Sequence, residues 1–97
     1  MRLNKREIDA IRSAVFSFDP GARIYLYGSR ASDHLTGGDI DLLLLSNKIS
    51  FADKISILTE IKRLLGEQKI DLTVKTHAAA EIDPFVTSIL AGAIEIG

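Results

Sequence analysis

The run Leu42-Leu43-Leu44-Leu45, entered from Asp39-Ile40-Asp41, narrows what this chain can become more than any other segment. A short unbroken apolar stretch reads as a strand, here Asp39 to Leu45, buried on both faces, and such a strand needs a covering layer above and below its sheet. The same segment sets two carboxylates at its mouth. Alternation sends Asp39 and Asp41 out of one face, about 7 Å apart at a rise of ~3.3 Å per residue. Nothing in a core strand favours that placement. Neighbouring carboxylates leaving water repel each other and are costly unless a cation or hydrogen-bond donors compensate them.

The other elements can be read around this strand. Asn4 followed by Glu7 makes a capping box, after which Ile8, Ile11, Val15 and Phe18 recur at helical spacing until Asp19-Pro20-Gly21 ends the run. Arg23 to Tyr27 is rich in strand formers and runs into Gly28-Ser29. A second capping box, Ser50 with Asp53, opens a helix carrying Phe51, Ile55, Leu58, Ile61, Leu64 and Leu65 on one stripe, with Gly66 as its stop. Lys69 to Lys75 alternates Ile70, Leu72 and Val74 with Asp71, Thr73 and Lys75, the period of a strand. From Pro84, the residues Phe85, Val86, Ile89, Leu90 and Ala93 predict a last amphipathic helix.

The expected fold is therefore α/β (α+β), in the order α-β-β-α-β-α, with a small mixed sheet backed by helices. The first two strands are joined by a loop too short for a parallel crossover and should be antiparallel; the next two are joined by a helix and should be parallel. The 97 residues suffice for one domain, taken as 1–97, but not for a catalytic domain plus a separate substrate domain. A net charge of -1 offers no general field for a long nucleic acid. The absence of cysteine removes disulfides, thiolate metal sites and cysteine nucleophiles, and fits a reducing cytoplasm. No signal-like or membrane-spanning run is evident, so a soluble cytoplasmic protein is expected, with no membrane partner.

Asp71 falls on the strand expected beside Asp41 and adds a third carboxylate. Mg²⁺ takes oxygen ligands, commonly one or two carboxylates completed by water and substrate phosphate, and an Asp-x-Asp pair suits it. In a two-metal site Asp71 would serve the ion that activates an attacking hydroxyl, while Asp39 and Asp41 also hold the ion that arrives with a triphosphate. Gly28-Ser29, where the chain leaves the sheet, could bring N–H groups and a hydroxyl against phosphate oxygens. Arg30 could pair with the β- or γ-phosphate. His34 and His77 are isolated and read as solvent-exposed, Lys5-Arg6 and Lys62-Arg63 as solvated helix faces, and Tyr25 and Tyr27 as packing residues.

Taken together, Gly28-Ser29, the intervening segment, Asp39-Ile40-Asp41 within an apolar strand, and Ile70-Asp71-Leu72 resemble the DNA polymerase beta-type nucleotidyltransferases. Within that superfamily the chain is most similar to the minimal nucleotidyltransferases (MNT). The resemblance implies a nucleotidyltransferase fold, an NTP substrate, ATP, with two Mg²⁺ ions, and pairing with a helical HEPN protein for which the MNT protein is the antitoxin. Some members attach AMP to that partner. Carried over, Gly28 and Ser29 hold the triphosphate, Asp39 and Asp41 hold the metals, and Asp71 completes the metal site and assists deprotonation of the acceptor hydroxyl. Ser32-Asp33 stands where the family commonly has Arg-Gly, and Gly38 where it often has serine. Other readings are an antitoxin acting by contact alone, or transfer to a small molecule; a homodimer is compatible with either.

Overall fold

The computed structural model describes residues 3–31 and 38–97. Helix α1 spans Lys5–Phe16, and both halves of its capping box form: Asn4 Oδ1 accepts the Glu7 N–H at 2.8 Å, and Glu7 Oε1 accepts the Asn4 N–H at 3.0 Å. Its buried face carries Ala10, Ile11, Ala14 and Val15. Phe18, expected on that stripe, lies past the helix end and is exposed. The N–H groups of Phe18 and Asp19 both turn back to the Val15 carbonyl, closing the helix before Pro20.

Strand β1 (Arg23–Tyr27) leads through a 3₁₀ turn at Gly28–Ala31 towards β2 (Ile40–Leu45); helix α2 (Phe51–Leu65) then returns the chain to β3 (Ile70–Lys75). The sheet order is β3-β2-β1-β4. As expected, β1 and β2 are antiparallel and β2 and β3 parallel. The first and second helix-capping boxes and both pairings thus follow the pattern of the sequence.

The C-terminal segment differs from the expectation. A short helix α3 (Ala79–Ile82) precedes α4 (Pro84–Leu90), and the chain then forms β4 (Ile94–Glu95), antiparallel to β1. A two-residue strand has no readable period, so its pairing is decided by tertiary contacts. The Ile96 N–H reaches the Ile24 carbonyl at 2.8 Å, the Ile24 N–H reaches the Gly97 carbonyl at 2.9 Å, and Arg23 grips Glu95 through both carboxylate oxygens. The Arg12 guanidinium donates to the Ile96 carbonyl at 3.1 Å, tying this end to α1.

The leucine run behaves as its composition demands. Leu42 and Leu44 pack with Ile24, Leu26, Ile40 and Leu72 beneath α1 and α2, while Leu43 and Leu45 face Val86 and Ala79 on the opposite side. A fully buried leucine contributes about 1.5–3 kcal/mol relative to an exposed one, so the strand is fixed in register by both faces. Tyr25 and Tyr27 pack on the second face, as expected of packing residues. On α2, however, the fully buried positions are Ile57 and Ile61, with Leu58 and Leu65 packed beside them. Phe51 and Ile55, assigned to that stripe, are exposed. The helix carries two apolar stripes, and only one faces the sheet. Among the described residues no helix is long and apolar enough to cross a membrane.

Candidate active site

Parallel pairing places Asp41 opposite Asp71, each the second residue of its strand, and antiparallel pairing places Tyr27, the last residue of β1, opposite Asp41. Directly opposed residues share a face, so Asp41 and Asp71 emerge together on the side covered by α3 and α4. Asp39 lies just before β2 and not within it, on an exposed backbone. The three acidic residues therefore gather where β1 ends and where β2 and β3 begin.

The charges gathered here act on Asp41. Burial pushes the Asp41 carboxyl above its ordinary value, the negative charges of Asp71 and then Asp39 push it further, and the Lys69 ammonium works in the opposite direction. Among the described residues no hydrogen bond reaches the Asp41 carboxylate. Lys69 Nζ stands 3.5 Å from Asp39 Oδ2, both groups being exposed. Lys69 was not singled out from the sequence, although its position two residues before Asp71 was the available signal, since alternation sets the two on one face.

Gly28 is required here for two reasons. Its φ of 74° lies in the left-handed region, and a Cβ at this position would overlap Asp41 Oδ2 and stand 3.2 Å from Asp41 Cγ. The missing side chain makes room for the Asp41 carboxylate. The backbone of Ser29 lies in the 3₁₀ turn, and its side chain falls outside the described residues, as do His34 and the Ser32-Asp33 pair.

Arg30 is turned towards α1. Its Nη2 donates to the Gly38 carbonyl at 3.0 Å and its Nη1 lies 3.8 Å from Glu7 Oε2. The capping glutamate of α1 thus also anchors the turn that follows β1. His77 donates its backbone N–H to Asn47 Oδ1 at the other end of the sheet, remote from the carboxylates. A concavity of about 790 Å³ also lies there, past the ends of β2 and β3, lined by Ser46, Lys48, Lys75 and Asp83 among others. It is separated from the carboxylates by the length of β2.

The donor set fits a hard divalent cation: all the candidate ligands are carboxylate oxygens, and the half-buried one lacks any donor among the described residues. As they stand, no three acidic or histidine side chains among the described residues converge on one point. Asp39 is engaged by Lys69.

A mixed sheet flanked by helices, with a glycine turn beside carboxylates at the start of a parallel strand pair, is consistent with the nucleotidyltransferase fold. Residues 17–95 match the family described as polymerase beta, nucleotidyltransferase, and the chain belongs to that family. Nucleotidyl transfer in general is thereby supported. No curated protein matched the chain in a sequence search.

Proposed function

We propose that this chain is a minimal nucleotidyltransferase, one domain over residues 1–97, that moves AMP from ATP onto a hydroxyl of a partner protein in the cytoplasm. The partner in this reading is a helical HEPN protein, for which the chain acts as antitoxin. The observation that carries the reading is Asp41: a half-buried carboxylate, pressed by Asp71 and Asp39, with no hydrogen-bond donor among the described residues. Ionised, such a group adds nothing to the stability of the fold, and a binding function explains it.

Asp39, Asp41 and Asp71 would hold Mg²⁺, which when bound neutralises the triphosphate and lowers the pKa of a coordinated hydroxyl. The acceptor hydroxyl oxygen attacks the α-phosphorus, a new P–O bond forms, the bond to the bridging oxygen breaks, and pyrophosphate departs with the electron pair. Asp71, which is exposed, is available to take the hydroxyl proton. Gly28 keeps the turn close to Asp41, and Gly28 and Ser29, in the same turn, would hold the triphosphate. Arg30 is a positioning residue in this scheme, because its guanidinium holds the turn to α1 and to Gly38.

The test is transfer of label from α-labelled ATP, with Mg²⁺, into a lysate of the native host, comparing the wild-type chain with Asp41→Asn. A labelled protein band that depends on Asp41 is expected. Label confined to small molecules would replace the protein acceptor by a small one. Absence of transfer with every NTP, combined with full neutralisation of the partner by Asp41→Asn, would leave inhibition by contact alone.

A further inference from the structure

β3 is an edge strand, and its outer side is open among the described residues. The Ile40 N–H bonds to the Lys69 carbonyl and the Ser46 N–H to the Lys75 carbonyl, so the odd-numbered residues of β3 face β2. The N–H and C=O groups of Ile70, Leu72 and Val74 therefore point outward, and none has a backbone partner beyond the strand among the described residues. Natural proteins protect such an edge, because it is a template for another strand.

Apolar side chains flank this edge on both faces of the sheet. On the α2 side, Phe51 is 75% exposed and lines a hollow with Val74, and Ile55, one helical turn on, is 51% exposed. On the other side, Ile82 is 77% exposed and lines the large concavity with Val74, while Phe85 is 53% exposed beneath the Lys75 ammonium. Of the large apolar side chains left exposed among the described residues, only Phe18 lies elsewhere.

Charge selects the occupant. For two copies of β3 paired antiparallel about a two-fold axis, the outward groups meet only in a few registers. Centring the axis on Asp71 opposes Asp71 to itself, and centring it on Leu72 opposes Lys69 to Lys75. Centring it on Val74 leaves no charged pair and shortens the ladder. Centring it on Thr73 opposes Asp71 to Lys75 twice, Leu72 to Val74 twice, and threonine to threonine. Centring it on Ile70 also opposes Lys69 to Asp71, but leaves almost none of β3 paired, so among the registers that pair most of the strand Ile70-Asp71-Leu72-Thr73-Val74-Lys75 the one on Thr73 is complementary.

We propose that a second copy of this chain pairs along β3 in that register, extending one sheet through both copies and covering Phe51, Ile55, Ile82 and Phe85. Each copy then sets its Lys75 beside Asp71 of its neighbour, so the neighbour supplies a cation to the carboxylate cluster. This inference stands apart from the transferase reading, since it uses only the edge, its flanks and its charges.

The chain contains no cysteine, which makes a register-specific test direct. At a non-hydrogen-bonded antiparallel pair the Cα atoms are ~4.5 Å apart, within disulfide reach. Under mild oxidation a Thr73→Cys variant should form a covalent dimer, while a Lys75→Cys variant, whose opposite residue is Asp71, should not. Sedimentation velocity of the wild type should give twice the chain mass, Lys75→Glu should give the chain mass, and the exchange Asp71→Lys with Lys75→Glu should restore the dimer. Circular dichroism establishes that each variant is folded. A wild type that stays monomeric at every concentration, equal cross-linking through both positions, or a Lys75→Glu variant that dimerises as the wild type does would each overturn the proposal. So would a wild type that is monomeric alone and adds only a foreign strand at this edge.

Discussion

Beyond the C-terminal end of β2, the buried Asp19 carboxylate accepts the Ser46 hydroxyl at 2.6 Å and the Gly21 N–H at 2.9 Å; near the strand's N-terminal end, Asp41 accepts nothing among the described residues and faces two further carboxylates. The Ser46 hydrogen bond is the largest influence on Asp19 and holds its carboxyl below the ordinary value despite burial, with Gly21, Lys48 and His77 acting in the same direction. Ser46 Oγ in turn accepts the N–H groups of Lys48 and Ile49, so the bend leading to α2 is organised around one anion. The same residue type near two ends of one strand is a structural anchor in one case and a source of repulsion in the other. Donors decide which.

The sharpest way to break this comparison is to neutralise each carboxylate in turn. Asp41→Asn should lower nucleotidyl transfer by about 10³-fold, the order lost with a principal electrostatic contact, and yet raise the unfolding midpoint of the metal-free chain. The stabilisation should be at most about 1 kcal/mol, because solvent reaches a half-buried group. A variant that loses both activity and stability would show that Asp41 is structural. Asp19→Ala should do the reverse, costing about 2–4 kcal/mol in urea unfolding by orphaning the Ser46 hydroxyl and the Gly21 N–H. If it cost nothing, the two ends would not differ as described.

Gly28→Ala should destabilise by about 1–2 kcal/mol through its left-handed backbone, with an added cost from the overlap with Asp41. That added cost should vanish in the Asp41→Ala background, and a double-mutant cycle by thermal unfolding measures it. The smallest effect is the pH dependence. Asp41, whose folded pKa is raised, contributes stability fully present below its unfolded value near 3.8 and lost as pH rises through the raised value; Asp19, whose folded pKa is lowered, contributes stability present above 3.8 and lost as pH falls through the lowered value. Mild acidification of the metal-free chain should therefore increase the unfolding free energy slightly before stronger acid reverses it. The initial rise should be absent in Asp41→Asn.

Much of the fold was legible because it rests on local patterns: both capping boxes, the doubly buried leucine run, and the loop lengths that set the strand directions. What escaped was decided between elements. Nothing local distinguishes the α2 stripe of Phe51 and Ile55 from that of Ile57 and Ile61, since both are apolar at helical spacing. The pairing of β4 depends on the exposed backbone of β1, which no short window contains. At the site, the register of Asp41 with Asp71 followed from alternation and a parallel crossover, whereas the turn of Arg30 towards Glu7 joins residues far apart in sequence.

β2 has a neighbour on each edge and a layer on each face, and Leu42, Leu43 and Leu44 are fully buried. Amide protons along it should exchange with solvent only when the whole chain unfolds, while those of the Gly28–Ala31 turn escape by local opening. The acidic cluster hangs at the boundary between these two time regimes. An ion taken up there in the proposed reaction would thus be met on one side by a turn expected to open locally and on the other by a strand expected to wait for global unfolding before it moves.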